Sequence, residues 1–231
     1  MSLFECKGVT KRYSGMTALS NVDLSLGAGQ IVGLLGPNGS GKTTMIKLAN
    51  GLLVPDGGQV LIDGKMPGPE TKAMVAYLPD REFLPLYLPI EKLIKLYKDF
   101  FKDFDEGKAR EMFQNLGLPL DIPMKKFSKG NREKVQLILT MSRNAKIYFL
   151  DEPIAGVDPA ARDYILRTII SNYSEDSLVI ISTHLISDVE SVLDGVVFLK
   201  AGEIVLDKQA EELREEEGKS VDVLFREVFK C

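Results

Sequence analysis

The sequence is poor in the residues that build metal clusters, disulfide frameworks and membrane spans. It has two cysteines, Cys6 and Cys231, which share neither a metal-type spacing nor a CxxC pair. No apolar run approaches the roughly 18 residues that a membrane helix needs. Residues 1–6 also lack the basic-then-apolar layout of a signal peptide. We therefore expect a cytoplasmic protein with reduced thiols, for which any membrane-spanning part must come from another chain.

An excess of positive charge is missing as well. The chain carries 29 Lys and Arg against 33 Asp and Glu, a formal net charge of −4. This balance disfavours a protein that holds nucleic acid through a large basic surface. Hydrophobic residues make up 45% of the 231 residues, which is ordinary for a soluble globular protein and enough for a sizeable core. We expect residues 1–231 to form one large domain.

The apolar pattern predicts an α/β protein with a mainly parallel sheet. Residues 30–35, 147–150 and 178–182 are short apolar runs of the kind that lies inside a sheet. Helical spacing follows two of these runs, over residues 159–172 and 185–193. Such an alternation of strands and helices indicates parallel strands covered by helices.

Three regions depart from this alternation. In the first third, apolar and polar residues alternate over residues 22–26, which is typical of a half-buried strand, and Gly57 and Gly58 predict a turn. Residues 84–143 have helical spacing instead and predict a helical insert. Its helices are expected over about 90–101, 106–116 and 128–143. Residues 203–231 predict a closing hairpin strand and terminal helices.

A glycine-rich loop follows the first apolar run. Residues 36–43, Gly-Pro-Asn-Gly-Ser-Gly-Lys-Thr, match the pattern G-x-x-x-x-G-K-[ST], and a helical stretch follows over about 44–52. Glycines let backbone N–H groups turn toward phosphate oxygens, and the helix N-terminus adds partial positive charge. We expect Lys42 to reach the β- and γ-phosphates and the Thr43 hydroxyl to bind Mg²⁺. The residues expected to hold the phosphates are Gly36, Pro37, Asn38, Gly39, Ser40, Gly41, Lys42, Thr43 and Thr44.

Two carboxylates follow the second apolar run. Asp151 and Glu152 come at the carboxyl end of residues 147–150, the edge at which parallel sheets bind ligands. Asp151 suits Mg²⁺, and Glu152 suits a general base that polarises the attacking water. Together with the glycine-rich loop, the pair predicts one nucleotide site.

Further segments, in order and at matching spacing, make the sequence resemble the ABC-type ATPases. Residues 127–131, Phe-Ser-Lys-Gly-Asn, resemble the LSGGQ signature of that family. Tyr13 resembles its adenine-stacking aromatic residue, and residues 77–80 resemble its Q-loop. Residues 156–158 are similar to its D-loop, and His184, the single histidine of the chain, is similar to its switch histidine.

The resemblance implies a fold and a function. The implied fold is a P-loop NTPase core with an N-terminal antiparallel β subdomain and an inserted α-helical subdomain. The implied function is that of an ATP-binding and ATP-hydrolysing motor subunit of an ABC transporter, with ATP and Mg²⁺ as cofactors. Its expected partners are a separately encoded transmembrane permease and a second copy or homologous subunit in a head-to-tail dimer, with no nucleic acid. The chain is expected to lie at the cytoplasmic face of the membrane.

The resemblance also implies roles for single residues. Glu152, His184 and Lys42 are the expected catalytic residues, and the expected metal ligands are Thr43, Asp80 and Asp151. For the remaining contacts, Tyr13 is expected to stack on adenine. Ser128 and Gly130 are expected to meet the γ-phosphate of the ATP on the facing subunit, and Asp158 is expected to organise the dimer seam.

Two positions differ from the family pattern. Lys129 stands where the signature has its first glycine, and Asp80 stands where the Q-loop usually has glutamine. We expect the site to remain active, because Ser128, Gly130 and Glu152 are present.

The apolar residues within 81–97 are either a docking surface for the permease or simple packing of the insert on the core. A role with soluble partners, in an assembly or ribosome-linked complex, is the alternative function. A regulator that has lost hydrolysis is disfavoured by the presence of Glu152 and His184.

Overall fold

The computed structural model describes residues 2–155 and 159–230, with the backbone alone for residues 159–161. The strands in these ranges are β1 Ser2–Tyr13, β2 Met16–Gly27, β3 Gln30–Leu35, β4 Gly57–Ile62, β5 Val75–Leu78, β6 Ile147–Asp151, β7 Leu178–Thr183, β8 Gly195–Lys200 and β9 Glu203–Gln209. The α-helices are α1 Lys42–Ala49, α2 Pro69–Lys72, α3 Ile90–Phe100, α4 Glu106–Asn115, α5 Lys129–Met141, α6 Pro159–Asn172, α7 Ile186–Val189, α8 Ala210–Glu217 and α9 Val221–Phe229.

A mixed, mostly parallel sheet forms the centre of the molecule. Its strand order is β5-β6-β7-β3-β8-β9, with β9 alone antiparallel to its neighbour. All five residues of β6 and all six of β7 are buried. A parallel sheet covered on both faces needs such continuous apolar strands. The predicted α/β core is therefore confirmed.

The first part of the chain forms a separate antiparallel sheet, also as predicted. Its strand order is β2-β1-β4. Along β2, Val22, Leu24 and Leu26 are buried while the residues between them are exposed. The two sheets share a core in which the rings of Phe4 and Phe149 meet edge to face, with centroids 5.4 Å apart. This contact holds the antiparallel sheet against the centre of the molecule.

Helices α3, α4 and α5 occupy residues 84–143, where the sequence predicts helices. They enclose an apolar cluster that includes Leu93, Phe113 and Ile138, each fully buried. Leu137 and Met141 of α5 pack instead into the core around the central sheet. Helix α5 therefore belongs to both cores and connects them. No helix within residues 2–155 and 159–230 has the length and apolarity needed to cross a membrane.

Three local predictions are wrong. Gly57 and Gly58 do not form a turn but begin β4; Gly58 has φ +71°, and a Cβ there would lie 2.3 Å from the carbonyl oxygens of Lys7 and Gly8. The glycine is needed for this close strand approach, not for a chain reversal. Residues 185–193 form the short helix α7 and a 3₁₀ turn, Glu190–Val192, in place of one helix. Helix α1 begins at Lys42, two residues earlier than expected.

A buried arginine fastens the end of α5 to the sheet. The Arg143 guanidinium is nearly inaccessible and donates to the Val75 carbonyl at 2.5 Å and to the Ala73 carbonyl at 2.9 Å. It also donates to both carboxylate oxygens of Asp103, at 3.0 to 3.2 Å, and lies 4.0 Å above the ring of Phe101. One side chain therefore joins the helical residues 84–143 to the edge strand β5.

We predict that Arg143→Ala lowers the free energy of unfolding by about 3 kcal/mol or more, because it leaves a carboxylate and two carbonyls without their donor. Urea denaturation measures the change. Arg110→Ala is the matched control: Arg110 also pairs with two carboxylates, those of Glu91 and Glu106, but on the surface, and its loss should have a much smaller effect. Equal losses in the two variants would contradict the prediction.

Candidate functional site

Four strands of the central sheet end at one edge and place the candidate residues there. Strands β3, β5, β6 and β7 run parallel, and their last residues are in register: Leu35 lies opposite Thr183, and Asp151 lies opposite Ser182. The glycine-rich loop follows β3, and Asp80 lies two residues after β5. Asp151 ends β6 with Glu152 directly after it, and His184 follows β7. The parallel topology thus brings together segments that are far apart in sequence.

The glycine-rich loop requires its glycines for steric reasons. A Cβ on Gly36 would lie 2.3 Å from the Leu199 carbonyl oxygen. Gly41 has φ +113°, and a Cβ there would lie 2.5 Å from the Ala18 carbonyl oxygen. Gly41 is the N-cap of α1 and turns the chain directly into that helix. The N–H groups of the first helical turn have no acceptor inside the helix, and such a helix start stabilises an anion.

Lys42 is the buried cation of the loop. Its side chain is 6% exposed, and its ammonium donates to the Gly36 carbonyl at 2.7 Å and the Pro37 carbonyl at 3.2 Å. The ammonium also lies 3.6 Å from a carboxylate oxygen of Glu152. Burial lowers the pKa of Lys42, while the charges of Glu152 and Asp151 oppose that shift. The loop therefore contains a buried basic side chain, and its contact with the β- and γ-phosphates stays a prediction.

Asp151 is the buried anion beside it. The residue is 1% exposed, and its Oδ1 accepts a short hydrogen bond from the Ser182 hydroxyl and one of 3.2 Å from the Thr43 hydroxyl. Burial raises the pKa of Asp151, while the hydrogen bonds from Ser182 and Thr43 act in the opposite direction.

The second oxygen of this carboxylate indicates whether a metal ion could bind here. Asp151 Oδ2 is buried and has no hydrogen-bond partner within residues 2–155 and 159–230. A buried carboxylate oxygen without a partner is costly unless a cation or donor meets it. Oxygen atoms of a carboxylate and a hydroxyl are ligands that Mg²⁺ prefers. Asp151 and Thr43 therefore fit a magnesium ion.

Glu152 has a strained backbone conformation, and its carboxylate contacts Lys42 and His184. Its φ is +51°, in the left-handed region that residues with a Cβ rarely adopt. Its N–H donates to the Ser182 carbonyl at 2.9 Å. The carboxylate accepts from the Thr183 hydroxyl at 3.2 Å, and His184 Nδ1 lies 3.0 Å from both of its oxygens. Glu152 is thereby held between Lys42 and His184.

Ser182 and Thr183 are site residues that the sequence analysis did not assign. Their hydroxyls hold Asp151 and Glu152, respectively. The available signal was their position: both are polar residues at the carboxyl end of an apolar strand, next to the histidine.

Asp80 and Tyr13 lie farther from these contacts. Asp80 is exposed and lines a cleft of about 270 Å³ that Glu152 also lines, and its charge contributes to raising the pKa of Asp151. Tyr13 ends β1 with 38% of its surface exposed, and the Lys11 ammonium lies 5.7 Å from its ring centroid. Their assignments to metal and adenine binding stay predictions.

The signature segment makes no described hydrogen bond to the phosphate loop, although Lys129 lines the same cleft as Glu152. Ser128 is the N-cap of α5, and its hydroxyl accepts from the Asn131 N–H at 3.3 Å. Gly130 lies in the first turn of the same helix. The Lys129 side chain is 66% exposed and lies 3.7 Å from the Glu133 carboxylate on its own helix. The described hydrogen bond of the Ser128 side chain thus stays within the first turn of α5. Asp158, the remaining predicted residue, lies outside the described residues.

Comparisons with known proteins agree with this geometry. A family model described as "ABC transporter" matches residues 19–155. The chain is 30% identical to the ABC-type transporter ATP-binding protein EcsA of Bacillus subtilis, over all of this chain and 98% of that one. It is 29% identical to the lipopolysaccharide export system ATP-binding protein LptB of Haemophilus influenzae, over 94% of this chain and 95% of that one.

Solved structures agree as well. The structure described as the ATP-binding subunit of an ABC transporter superimposes with a TM-score of 0.87 at 28% identity, covering 99% of this chain and 100% of that one. The resemblance noted from the motifs is thereby confirmed: this chain belongs to the ABC transporter family, as one of its ATP-binding subunits.

Proposed function

We propose that the chain hydrolyses ATP with Mg²⁺ and drives a separate transmembrane subunit through ATP-dependent head-to-tail dimerisation. The observation that carries the proposal is a continuous set of contacts. The Thr43 hydroxyl donates a hydrogen bond to the Asp151 carboxylate. The Lys42 ammonium lies 3.6 Å from the Glu152 carboxylate, which in turn lies 3.0 Å from His184 Nδ1. These contacts join a phosphate-binding cation, a metal-binding carboxylate and a candidate base within one site.

Binding of ATP requires a change of partners at Lys42. Its ammonium now donates to the carbonyls of Gly36 and Pro37. Phosphate oxygens carry negative charge and are stronger acceptors, so Lys42 would exchange the carbonyls for the β- and γ-phosphates. Mg²⁺, held by Thr43 and Asp151, would supply neutralisation of the phosphate charge.

Glu152 and His184 have different roles in the proposed hydrolysis. The Glu152 carboxylate is 13% exposed, so it can meet a water molecule at the γ-phosphate and accept its proton. The His184 ring is 38% exposed and holds both carboxylate oxygens through Nδ1, which fixes the direction in which the carboxylate points. The opposite ring nitrogen stays available for a γ-phosphate oxygen.

The dimer is supported by the position of the signature segment. Ser128, which is exposed, and Gly130, which is partly exposed, lie at the start of α5 and make no hydrogen bond to the phosphate loop among the contacts of the described residues. A helix N-terminus with an exposed hydroxyl suits a phosphate. A second copy, turned head to tail, would present this end of α5 to the ATP of the first.

The permease is supported by an apolar groove. A cavity of about 310 Å³ lies between the core and the helical residues 84–143. Its apolar wall includes Leu52, which is 57% exposed, Phe83, which is 40% exposed, and Tyr97. Tyr87, nearby in sequence, is 72% exposed. Exposed apolar side chains around a groove mark a protein-binding surface. This groove adjoins residues 81–97, the docking surface suggested by the sequence.

We predict that Glu152→Gln lowers the ATP hydrolysis rate by about 100-fold or more, because glutamine keeps the shape but cannot accept the proton. ATP binding should persist, so the variant should form a dimer with ATP and Mg²⁺ that gel filtration detects. Glu203→Gln, on an exposed residue of β9, is the matched control and should hydrolyse ATP like the unmodified chain. A Glu152→Gln variant that retains full hydrolysis would contradict the assignment.

We also predict that the tagged Glu152→Gln chain, incubated with solubilised membranes, ATP and Mg²⁺, retains a polytopic membrane protein in stoichiometric yield. Adding Phe83→Asp should lower that yield by about tenfold, because it puts a charge into the apolar groove. Val205→Asp, at a 47% exposed position on β9, is the control and should leave the yield unchanged. Recovery of soluble proteins alone would replace the permease with the soluble-partner alternative.

A further inference from the structure

Positive charge is concentrated in the helical residues 84–143. This region carries 12 Lys and Arg against 8 Asp and Glu, a net charge of +4. The rest of the chain carries 17 against 25, a net charge of −8. Such an asymmetry within one chain is typical of proteins that bind an anionic surface. The phosphate loop does not account for it, because residues 36–43 lie outside this region.

Most of these basic side chains have partners within the protein. Six of them form ion pairs with carboxylates, the Lys108 ammonium donates to a carbonyl, and the Lys134 ammonium lies over a tyrosine ring. The four others are exposed, and their ammonium groups make no hydrogen bond or ion pair with the described residues; they are Lys92, Lys102, Lys125 and Lys126. These four charges are therefore available to an anion outside the protein.

Two of the four lysines lie beside an exposed aromatic residue. The Lys125 N–H donates to the Leu86 carbonyl at 2.8 Å, so the backbone of Lys125 and Lys126 adjoins that of Leu86 and Tyr87. Tyr87 is 72% exposed and Leu86 is 39% exposed, and both lysines are exposed as well. We call Leu86, Tyr87, Lys125 and Lys126 the basic patch.

Few acids oppose the charge of the basic patch. The acids in the adjoining segments are Glu91 and Asp121. Glu91 is paired with Arg110 at 2.9 Å. Asp121 is exposed and forms no ion pair with the described residues. Lys92, at the start of α3, adds a further unpaired cation close by in the chain. The surface around the patch therefore keeps a net positive charge.

The basic patch adjoins the apolar groove but is not part of it. Phe83 and Tyr97 line the groove, whereas Leu86 and Tyr87 do not. Leu86 lies only three residues after Phe83, so the patch and the groove are close in the chain. A permease seated in the groove would therefore leave the patch uncovered and hold it near the surface of the membrane.

We propose that the basic patch binds the anionic lipid headgroups of the membrane surface beside the permease. Lysine ammonium groups are attracted to an anionic leaflet, and tyrosine suits the membrane–water interface because its ring is apolar and its hydroxyl is polar. The orientation of the patch toward the bilayer rests on the proposed function, but the binding itself does not require the permease. A weak contact with lipid strengthens attachment to the permease, because both contacts hold the same chain at the membrane.

The first test measures co-sedimentation of the whole chain with vesicles that contain no protein. One set is neutral phosphatidylcholine, and in the other about a third of the lipid is anionic phosphatidylglycerol. The chain should bind the anionic vesicles alone. Raising the salt concentration from about 0.1 M to about 1 M should release it, because the screening length falls from about 10 Å to about 3 Å. Equal binding to both sets, or binding to neither, would overturn the inference.

Paired substitutions test whether the patch is the binding surface. Lys125→Gln combined with Lys126→Gln should weaken binding to anionic vesicles by about tenfold or more, since each lysine near such a surface contributes about fivefold. Lys102→Gln combined with Lys230→Gln is the matched control, because it removes the same charge from exposed positions outside the patch. Equal weakening by the two pairs would mean that overall charge alone attracts the chain, which would overturn the inference. Thermal unfolding of each variant checks that it is folded.

The chain contains no tryptophan, so a single introduced tryptophan reports the surroundings of one position. The emission of Tyr87→Trp should move to shorter wavelength with anionic vesicles, because the ring leaves water for the interface. Val223→Trp, at a 42% exposed position on α9, is the control and should show no shift. A Tyr87→Trp chain whose emission is unchanged while it is bound to vesicles would contradict the inference. A shift that requires a membrane protein would assign the patch to a protein partner instead.

These measurements need neither ATP nor hydrolysis. A failure of vesicle binding would therefore leave the proposed function intact. A chain that binds vesicles through the patch but neither hydrolyses ATP nor dimerises with it would overturn the proposed function and leave the lipid contact standing.

Discussion

The structure depends on surrounding one buried carboxylate, that of Asp151, with hydrogen-bond donors inside the protein. Burying an ionised carboxylate is costly unless donors or cations meet it. Here the Ser182 and Thr43 hydroxyls meet Oδ1, and the Lys42 ammonium lies nearby, its pKa affected by the same charge. These partners come from β7 and α1, so the pairing of β6 with β7 and the start of α1 at Lys42 are both required. The hydrogen bonding of Asp151 therefore depends on the register of the central sheet.

The sequence predicts best those parts of the molecule in which the physical reason is local. The phosphate loop could be located because its glycines are needed for backbone clearance, at Gly36 and Gly41, and because the pattern includes the lysine. The strands β3, β6 and β7 were predicted because a sheet buried on both faces requires continuous apolar runs. The three helices within residues 84–143 were predicted because their apolar faces repeat at helical spacing.

The misses come from contacts between distant segments. Gly58 looks like a turn residue, but its role is to let β4 approach the backbone of β1, and that pairing is not visible along the chain. The roles of Ser182 and Thr183 depend on the alignment of β7 with β6. Arg143 reads as an ordinary helix-end residue, although it satisfies two carbonyls and Asp103. In each case, the role of the residue depends on tertiary contacts that composition and periodicity do not predict.

In our proposal, a site divided between two copies accounts for the absence of described hydrogen bonds between the signature segment and the phosphate loop. Lys42 and Glu152 are in contact beside Asp151, while Ser128 and Gly130 lie at the start of α5 and make no described hydrogen bond to them. Helix α5 packs into both apolar cores, so the end that it presents to a partner is rigidly connected to the sheet that carries the cluster. In our account, ATP completes the site by joining two copies, and hydrolysis separates them.

The most direct test of the shared site is the rate of ATP hydrolysis per chain, measured over a wide range of chain concentrations at saturating ATP and Mg²⁺. The account predicts a specific activity that is very low in dilute solution and rises with concentration until dimer formation is complete, because one chain holds only part of the site. A specific activity that stays constant down to concentrations at which sedimentation shows only monomers would contradict it, since a single chain would then contain the whole catalytic site.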